Sequence, residues 1–523
     1  MRFRHIRRLA TFVLATSLIA GCVHSFWTVQ PTQLSTSDQR VITSPVKVHL
    51  LDGGTVVFRN GVSVSAREIT GAGKAYRLLD DVAFTDRDRI PIDSVVGLES
   101  FDGKLLTAQS VVVSVAATGL AAIGTAGLLL AIFGSCPTVY ADTGAAGKLQ
   151  AEGFSYAIAP LLEHRDVDPL DVRPGPDGII RLELRNEALE THFINHIELL
   201  AVKRPAGASV VPDQSGKLVV VSDMHPLSSA RDRAGRDVSA DLADADGRLF
   251  ATAPATVNAA RAGDLDDYID IETDALPAGD SIAVVLRLRN SLLNTVLLYD
   301  GILGGPDAAD WLVTGLQQIG TALDLSRWYT RTMGMHATVD GVALPASGEH
   351  ARLGDVGPIA FRDVAIVLPR PSSAAKNVRV RLRFVADDWR IDRARFAGVV
   401  TRPTPATLHL SRVIAPNPAR GGPAVLDTAA LRALGEADND YLETHPGQRM
   451  TLEFASRADS STTYLIAWQG WYREWIRGAW LAEPTRTKPW VPGDSAVSIA
   501  LTRWRAKRDG FERAFYSSRI PVR

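Results

Sequence analysis

One uncharged stretch constrains the fold of this chain more than any other feature, because no other run in the sequence matches its length. Residues 105–141 read LLTAQSVVVSVAATGLAAIGTAGLLLAIFGSCPTVYA and contain no charged side chain. The apolar centre is long enough to cross a bilayer as a helix of about 20 residues. Its many glycines and alanines also suit close helix packing in lipid. We therefore predict a membrane segment at residues 105–135. The alternative is a buried hairpin or core helix of a soluble domain, since its valines favour strand.

The first residues, MRFRHIRRLATFVLATSLIAGC, place four arginines before an apolar run that ends in small residues. This order predicts an export signal over residues 1–21. The ending LIAGC resembles the lipobox of bacterial lipoproteins. That resemblance implies cleavage before Cys22 and attachment of diacylglycerol to its sulfur, with residues 22–45 as lipidated cysteine and linker. The alternative is an ordinary signal or anchor helix in which the cysteine is incidental.

The charges balance, with 57 basic and 58 acidic residues, so no large electrostatic footprint for nucleic acid exists. A chain of 523 residues is too long for one hydrophobic core and predicts several domains. We predict a protein of the bacterial cell envelope whose large domains are periplasmic. Its membrane lipid contacts are Cys22 and the apolar segment. No sequence motif indicates a cofactor.

Residues 46–104 predict a small β module of the barrel-like kind. The apolar runs VKVHLL and TVVF flank Asp52, Gly53 and Gly54, and Asn60 with Gly61 then separates TVVFR from VSVS. Both separators are strong hairpin signals. We expect each of them to join two paired strands.

Residues 136–300 predict a β-rich domain. A pattern of short motifs lies between residues 93 and 205. It consists of the serine, cysteine and proline that end the apolar stretch, a following tyrosine, and the triplet RNE at 185–187. This pattern resembles an uncharacterised family of bacterial envelope proteins, and the resemblance implies location but no activity. Alternation in residues 179–185 and the apolar run 193–202 predict a β-hairpin.

Residues 301–333 predict an amphipathic connecting helix, because apolar side chains recur at spacings of one, three and four. Residues 334–523 contain regularly spaced strand runs such as VRVRLRFVA and MTLEFA, which are typical of an antiparallel β-sandwich. The predicted fold is therefore mainly β throughout, with one apolar helix and one connecting helix.

Few residues suggest metal or acid–base chemistry. His192 and His196 are four apart and would share a face on a helix or a regular strand, which makes them weak candidates for a metal site. The alternative is a solvated strand face. Asp387, Asp388 and Asp392 could form a carboxylate pair, although their place between two strand runs more simply predicts a turn. Cys136 is the remaining cysteine if Cys22 is lipidated, and we predict that it is a small buried hydrophobe, with a reactive thiol as the alternative.

The most distinctive candidate binding surface is the run WQGWYREWIRGAW, and its candidate ligand-binding residues are Trp468, Trp471, Tyr472, Arg473 and Trp475. Exposed aromatics beside arginines can stack on sugar rings, grip a protein or rest at a membrane interface. The alternative is a buried aromatic cluster.

Together these patterns predict an exported, lipid-anchored envelope protein that acts as a non-catalytic scaffold or binding protein for a glycan or an envelope protein. The rival hypothesis is an envelope hydrolase whose site is assembled from scattered carboxylates and histidines.

Overall fold

The computed structural model describes residues 25–32, 40–43, 46–50, 55–58, 60–76, 85–105, 136–141, 147–158, 163–188, 190–297, 328–329, 332–340, 352–371, 377–416, 424–438, 440–445, 447–456, 461–474 and 493–517. They belong to two compact units, the first reaching residue 105 and the second starting at residue 136. The predicted membrane segment beyond Leu105, Cys22 and most of the predicted connecting helix lie outside the described residues. Among the described helices, none is long and apolar enough to span a membrane.

Short strands and one 3₁₀ helix at Ile92–Ser94 build the first unit. Its strands are β1 Ser25–Thr32, β2 Arg40–Ile42, β3 Val46–Leu50, β4 Thr55–Phe58, β5 Val62–Val64, β6 Glu68–Thr70, β7 Gly73–Tyr76, β8 Thr85–Asp86, β9 Arg89–Pro91 and β10 Val95–Leu105. A six-stranded sheet has the order β1-β10-β3-β4-β7-β8, and a four-stranded sheet has the order β2-β5-β6-β9. The β character predicted for residues 46–104 is therefore confirmed, but β1 and β2 show that part of the predicted linker 22–45 also belongs to these sheets.

The apolar positions of this module form one core shared by the two sheets. Val46, Val48 and Leu50 alternate along β3 and are buried, as a strand with one covered face requires. The hairpin across residues 51–54 is confirmed, since β3 and β4 pair. The hairpin predicted at Asn60 and Gly61 is wrong, because β5 pairs with β2 and β6 in the other sheet. That turn carries the chain between sheets.

The second unit contains the remaining described strands. The first ten are β11 Thr138–Ala141, β12 Lys148–Glu152, β13 His164–Leu170, β14 Ile179–Arg185, β15 Glu190–Lys203, β16 Ser209–Pro212, β17 Leu218–His225, β18 Ser229–Asp232, β19 Asp266–Thr273 and β20 Ser281–Asn290. The others are β21 Met335–Val339, β22 Arg352–Leu353, β23 Arg362–Pro369, β24 Val378–Val385, β25 Trp389–Thr401, β26 Ala406–Ala415, β27 Val425–Leu426, β28 Leu442–Thr444, β29 Arg449–Ala455 and β30 Thr462–Glu474.

One large sheet combines strands from both ends of this unit. Its order is β12-β11-β14-β29-β26-β15-β30-β13, with β27 added to β26 and β28 added to β15. Two five-stranded sheets, β16-β17-β25-β20-β23 and β18-β19-β24-β21-β22, lie between its two groups of strands in sequence. These two sheets share one apolar core that includes Trp389, Phe250 and Phe396. The described strands from β16 to β25 thus form an antiparallel sandwich inserted into the large sheet.

Several helices are described in the second unit: α1 Pro254–Ala259, α2 Leu293–Val296, α3 Thr428–Ala433 and α4 Asp494–Ser517. A 3₁₀ turn occupies Ser239–Asp241. Helix α4 falls where the sequence predicted only sandwich strands. It buries Val497, Leu501 and Trp504, four and three residues apart, so one apolar face packs on the body.

Two other sequence predictions need correction. β14 and β15 are strands as predicted, but they do not form a hairpin, because β14 pairs with β11 and β29 while β15 pairs with β26, β28 and β30. The predicted boundary at residues 301–333 also fails to separate domains. β20, before it, pairs with β23 and β25, after it.

Candidate functional site

A polar cleft of about 240 Å³ lies between the large sheet and the inserted sandwich. Strand β13 and Tyr156 form one wall, and β22, β23 and the loop between them form another. We call this the polar cleft and define it by Tyr156, His164, Asp166, Arg352, Asp355 and Arg362. Side chains of this kind, converging in a concave site, are the usual signature of a ligand site.

Strand β13 sets the acidic wall. It lies at the end of the large sheet and pairs with β30. Every second residue of a strand points to the same face, which places His164, Asp166 and Asp168 on one side. The Asp166 carboxylate accepts the backbone N–H of Phe154 at 2.7 Å, and His164 lies 3.4 Å from it. These contacts hold the carboxylate in one orientation.

Arg362, the first residue of β23, joins the sandwich to this wall. Its Nε forms an ion pair with Asp168, and its Nη1 lies 3.4 Å from an Asp166 oxygen. Its Nη2 donates to the carbonyl oxygen of Glu152 at 3.2 Å. Because the guanidinium is rigid and nearly buried, it fixes the spacing of the two carboxylates.

Two further contacts strengthen the same junction. The Glu152 carboxylate accepts the backbone N–H groups of Ile359 at 2.7 Å and Ala360 at 3.0 Å, in the loop before β23. The Trp468 indole donates to Asp168 at 3.0 Å. The cleft is therefore lined by groups whose positions are set before any ligand arrives, which lowers the entropic cost of binding.

The two aspartates of β13 have opposite protonation behaviour. Burial alone would raise the pKa of Asp166, but Arg362, His164 and the N–H of Phe154 outweigh it and lower the pKa. Burial raises the pKa of Asp168 despite the attraction of Arg362, and the charge of Asp166 adds to this increase. Asp166 is thus the ionised carboxylate that faces the cleft.

Asp355 forms the opposite acidic group. Its Oδ2 accepts the Tyr329 hydroxyl at 2.6 Å and the Asn294 amide at 2.8 Å, and its Oδ1 accepts the N–H of Gly357 at 2.7 Å. Burial raises the pKa of Asp355, although these donors oppose the increase. The neighbouring ring of Tyr156 lies 4.8 Å from the His164 ring and offers an aromatic wall.

The aromatic run predicted as a binding surface is placed differently. Trp468, Trp471 and Tyr472 are 0%, 2% and 3% exposed, because central strand β30 is covered on both faces. The Trp471 ring stacks on Phe193 at 4.0 Å. The buried-cluster alternative describes these three side chains. Arg473 is the second-last residue of β30, where its backbone pairs with Thr191 of β15, and Trp475 lies outside the described residues.

The two candidate metal-ligating histidines do not come together. On β30, His192 is opposite Tyr472 and His196 is opposite Gln469. Opposite residues share a face, but these two partners are three residues apart and so point to opposite faces. A bulge in β15 causes this change of side. Among the described residues, no group of His, Cys, Asp and Glu is arranged to hold a metal ion.

The remaining candidate residues, Cys136 and the aspartates near Trp389, lie in surroundings that favour a structural role. Cys136 is buried, and burial raises the pKa of its thiol, which disfavours the reactive thiolate. Asp387 and Asp388 do form the turn between β24 and β25, as the simpler prediction stated. Asp387 has φ of 65° and pairs with Arg390 at 2.9 Å.

Sequence reasoning missed every residue that defines the polar cleft. A usable signal was the alternation of acidic residues in HRDVDPL, since carboxylates at alternate positions of a buried strand need partners. The partner Arg362 lies 196 residues from Asp166, so their meeting could not be read from spacing.

Comparison with known proteins adds little. No family profile matches the chain, and no curated protein matches it. One solved structure, a GH31 alpha-xylosidase from Xanthomonas citri, aligns at 10% identity and a TM-score of 0.15 over 81% of this chain. The match spans only 38% of the xylosidase chain, and at this TM-score it carries no argument about fold or function.

Proposed function

We propose that this protein is an exported, lipid-anchored and non-catalytic binding protein of the bacterial envelope, and that its polar cleft binds a glycan. The observation that carries the proposal is the preorganised cleft itself, in which carboxylates, guanidinium groups and tyrosines converge around about 240 Å³. The other non-catalytic role that we consider is a scaffold that binds an envelope protein. The small volume favours a glycan over a protein segment, since it lies below the ~300–1,000 Å³ usual for drug-sized ligands.

The charge balance of the cleft supports a neutral, hydroxyl-rich ligand. Its charged lining residues, apart from histidine, are Asp166, Asp213, Asp355, Arg165, Arg352 and Arg362. An anionic ligand would meet three carboxylates, and a cationic ligand would meet three guanidinium groups. Sugar hydroxyls both donate and accept, so they can bond to both kinds of side chain. Tyr156 adds the apolar ring surface that sugar rings require.

The envelope location rests on the export signal and lipobox. Under this proposal the sulfur of Cys22 carries the lipid, the apolar segment 105–135 adds membrane contact, and the large domains lie in the periplasm. Cys22→Ser should release the protein from the membrane fraction, whereas the wild type stays in it. Membrane retention of the variant after a high-salt wash would contradict attachment through this cysteine.

Blocking the cleft tests the binding role. Gly354 lines the cleft, nothing lies within 4 Å of a Cβ placed on it, and its backbone is not left-handed, so a large side chain can be added to the cleft lining there without strain. Gly354→Trp should weaken binding of an N-acetylglucosamine hexasaccharide, an uncharged glycan probe, at least about tenfold, and Gly354→Ala should bind like the wild type. Calorimetry measures both affinities, and circular dichroism checks folding. Unchanged binding by the folded tryptophan variant would refute the proposal.

A hydrolase is the second candidate, favoured by one observation. Asp166 and Asp355 line the same cleft, and their surroundings shift their pKa values in opposite directions. Such a pair is how glycosidases provide an acid and a base. Hydrolysis of glycan strands by the wild type, lost in Asp355→Asn, would support this candidate. Binding without turnover would favour the non-catalytic role.

A further inference from the structure

A second cavity of about 270 Å³ lies in the same unit as the polar cleft. Its lining includes Gly263, Thr332, His336, Arg383 and Asp494, the first residue of α4. Like the polar cleft, it presents both donors and carboxylates, here one guanidinium and two aspartates. The Arg383 guanidinium pairs with Asp266 at 2.7 Å on its rim.

Gly334 lines both cavities and therefore marks the point where they adjoin. It directly precedes β21. A Cβ at this position would lie 2.9 Å from the carbonyl oxygen of Leu353 and 3.2 Å from the Arg352 side chain, closer than side chains normally approach. Glycine thus permits tight contact with β22 and leaves no side chain standing between the two cavities.

Strand register connects the cavities along one face of the sandwich. On adjacent strands, Arg352 of β22 is opposite His336 of β21, and His336 is opposite Arg383 of β24. Residues directly opposite one another on paired antiparallel strands have neighbouring side chains on the same face. Arg352 lines the polar cleft, and the other two line the second cavity. The three form a continuous row of hydrogen-bond donors.

From this arrangement we propose that the second cavity is a second subsite of the polar cleft, so that the ligand is a linear, uncharged glycan long enough to lie across Gly334. The inference rests on the proposed glycan binding and adds the length of the ligand. Arg383 pairs with Asp266, while Asp494 adds an acceptor and the His336 imidazole adds a group that can donate or accept, which again suits hydroxyl groups. A single sugar ring would occupy one subsite only.

The test compares short and long probes. N-acetylglucosamine disaccharide and hexasaccharide are titrated against the full chain by calorimetry. The hexasaccharide should bind at least about tenfold more tightly than the disaccharide. His336→Ala should weaken hexasaccharide binding about tenfold while leaving disaccharide binding unchanged, and His336→Gln should retain most of it because it keeps a donor. Gly354→Trp should weaken both.

The outcomes separate the two proposals. Equal affinity of the wild type for both probes would overturn the two-subsite inference but leave binding in the cleft intact. Binding of neither probe would overturn both. Hydrogen exchange of the wild type gives a readout that needs no variant: residues 263–266, which line the second cavity and not the polar cleft, should gain protection with the hexasaccharide and not with the disaccharide. Protection by both probes, or by neither, would also overturn the inference.

Discussion

His192 offers a direct test of how burial controls stability in the large sheet. Its imidazole is fully buried on β15, with Glu190 Oε2 3.3 Å from Nε2 and Thr444 Oγ1 3.3 Å from Nδ1. Burial lowers the pKa of His192 from its ordinary 6.5 to about 3, because the imidazolium would lose its hydration. The folded protein therefore holds this histidine neutral at pH values where the unfolded chain would protonate it.

This difference in pKa determines how the stability contributed by His192 changes with pH. Because the folded-state pKa is depressed, the contribution of His192 is complete above the unfolded pKa of about 6.5 and is lost as the pH falls toward 3. A tenfold change in proton affinity corresponds to about 1.4 kcal/mol, so the full loss is about 4–5 kcal/mol. At about pH 5, where the unfolded histidine is protonated, about 2 kcal/mol should already be lost.

Urea unfolding of the wild type and His192→Gln at about pH 7.5 and about pH 5 measures this loss. Glutamine keeps a donor and an acceptor but does not titrate. The stability advantage of the wild type over the variant should shrink by about 2 kcal/mol between the two pH values. An advantage that stays constant or grows at low pH would refute the reasoning. It would mean that an ionised Glu190 holds the imidazolium in the folded state.

Three further outcomes are expected. Trp504→Phe keeps an aromatic ring but removes the larger indole and its N–H, which donates to Asp387 at 2.6 Å, so urea unfolding should show a loss of at least about 1.5 kcal/mol from the lost hydrogen bond and the volume left empty; a loss below about 0.5 kcal/mol would contradict this. Gly398→Ala should lower the melting temperature, because its Cβ would lie 1.9 Å from the carbonyl oxygen of Ala278, in the loop before β20; an unchanged melting temperature would show that this loop moves away freely. Burial raises the pKa of Asp388, so its ionisation should cost stability as the pH rises above its ordinary value of about 3.9. Asp388→Asn should therefore gain stability relative to the wild type between about pH 4 and about pH 8, and parallel urea midpoints over that range would argue against it.

The mainly β character could be predicted from the sequence because alternation is a local property. In β24 the sequence VRVRLRFV alternates buried valines and leucine with exposed arginines, as one covered face demands. The small β module was predictable for the same reason. Strand pairing was not, since β14 finds its partners in β11 and β29 and not in the next strand along the chain.

The apolar spacing within helix α4 is a sequence signal that predicts a helix. Val497, Leu501 and Trp504 follow the spacing of an amphipathic helix, yet the strand runs before them favoured a continued sandwich. For the aromatic run of β30, in contrast, the sequence does not contain the information needed to predict its surroundings. Composition indicates that tryptophans contribute large contact areas, but it does not say whether the contact is with a ligand or with the core.

The polar cleft could not be predicted, because its walls come from segments far apart in the chain. Asp166 and Arg362 meet only once the sandwich has packed against β13. A buried strand with two carboxylates indicates that a partner must exist, but sequence spacing does not identify it.

The insertion of the sandwich has a consequence for the order in which the chain reaches its native state. The chain leaves the large sheet after Lys203 and returns to it at Ala406, which pairs with Ala201. Residues 209–401 can therefore complete their own core while β14 still lacks β29 and β15 still lacks β30. Such distant pairings form slowly, and unpaired strand edges invite aggregation in the meantime. A ribosome or translocon that releases residues 406–474 late would thus set the moment at which the first half of the sheet is protected.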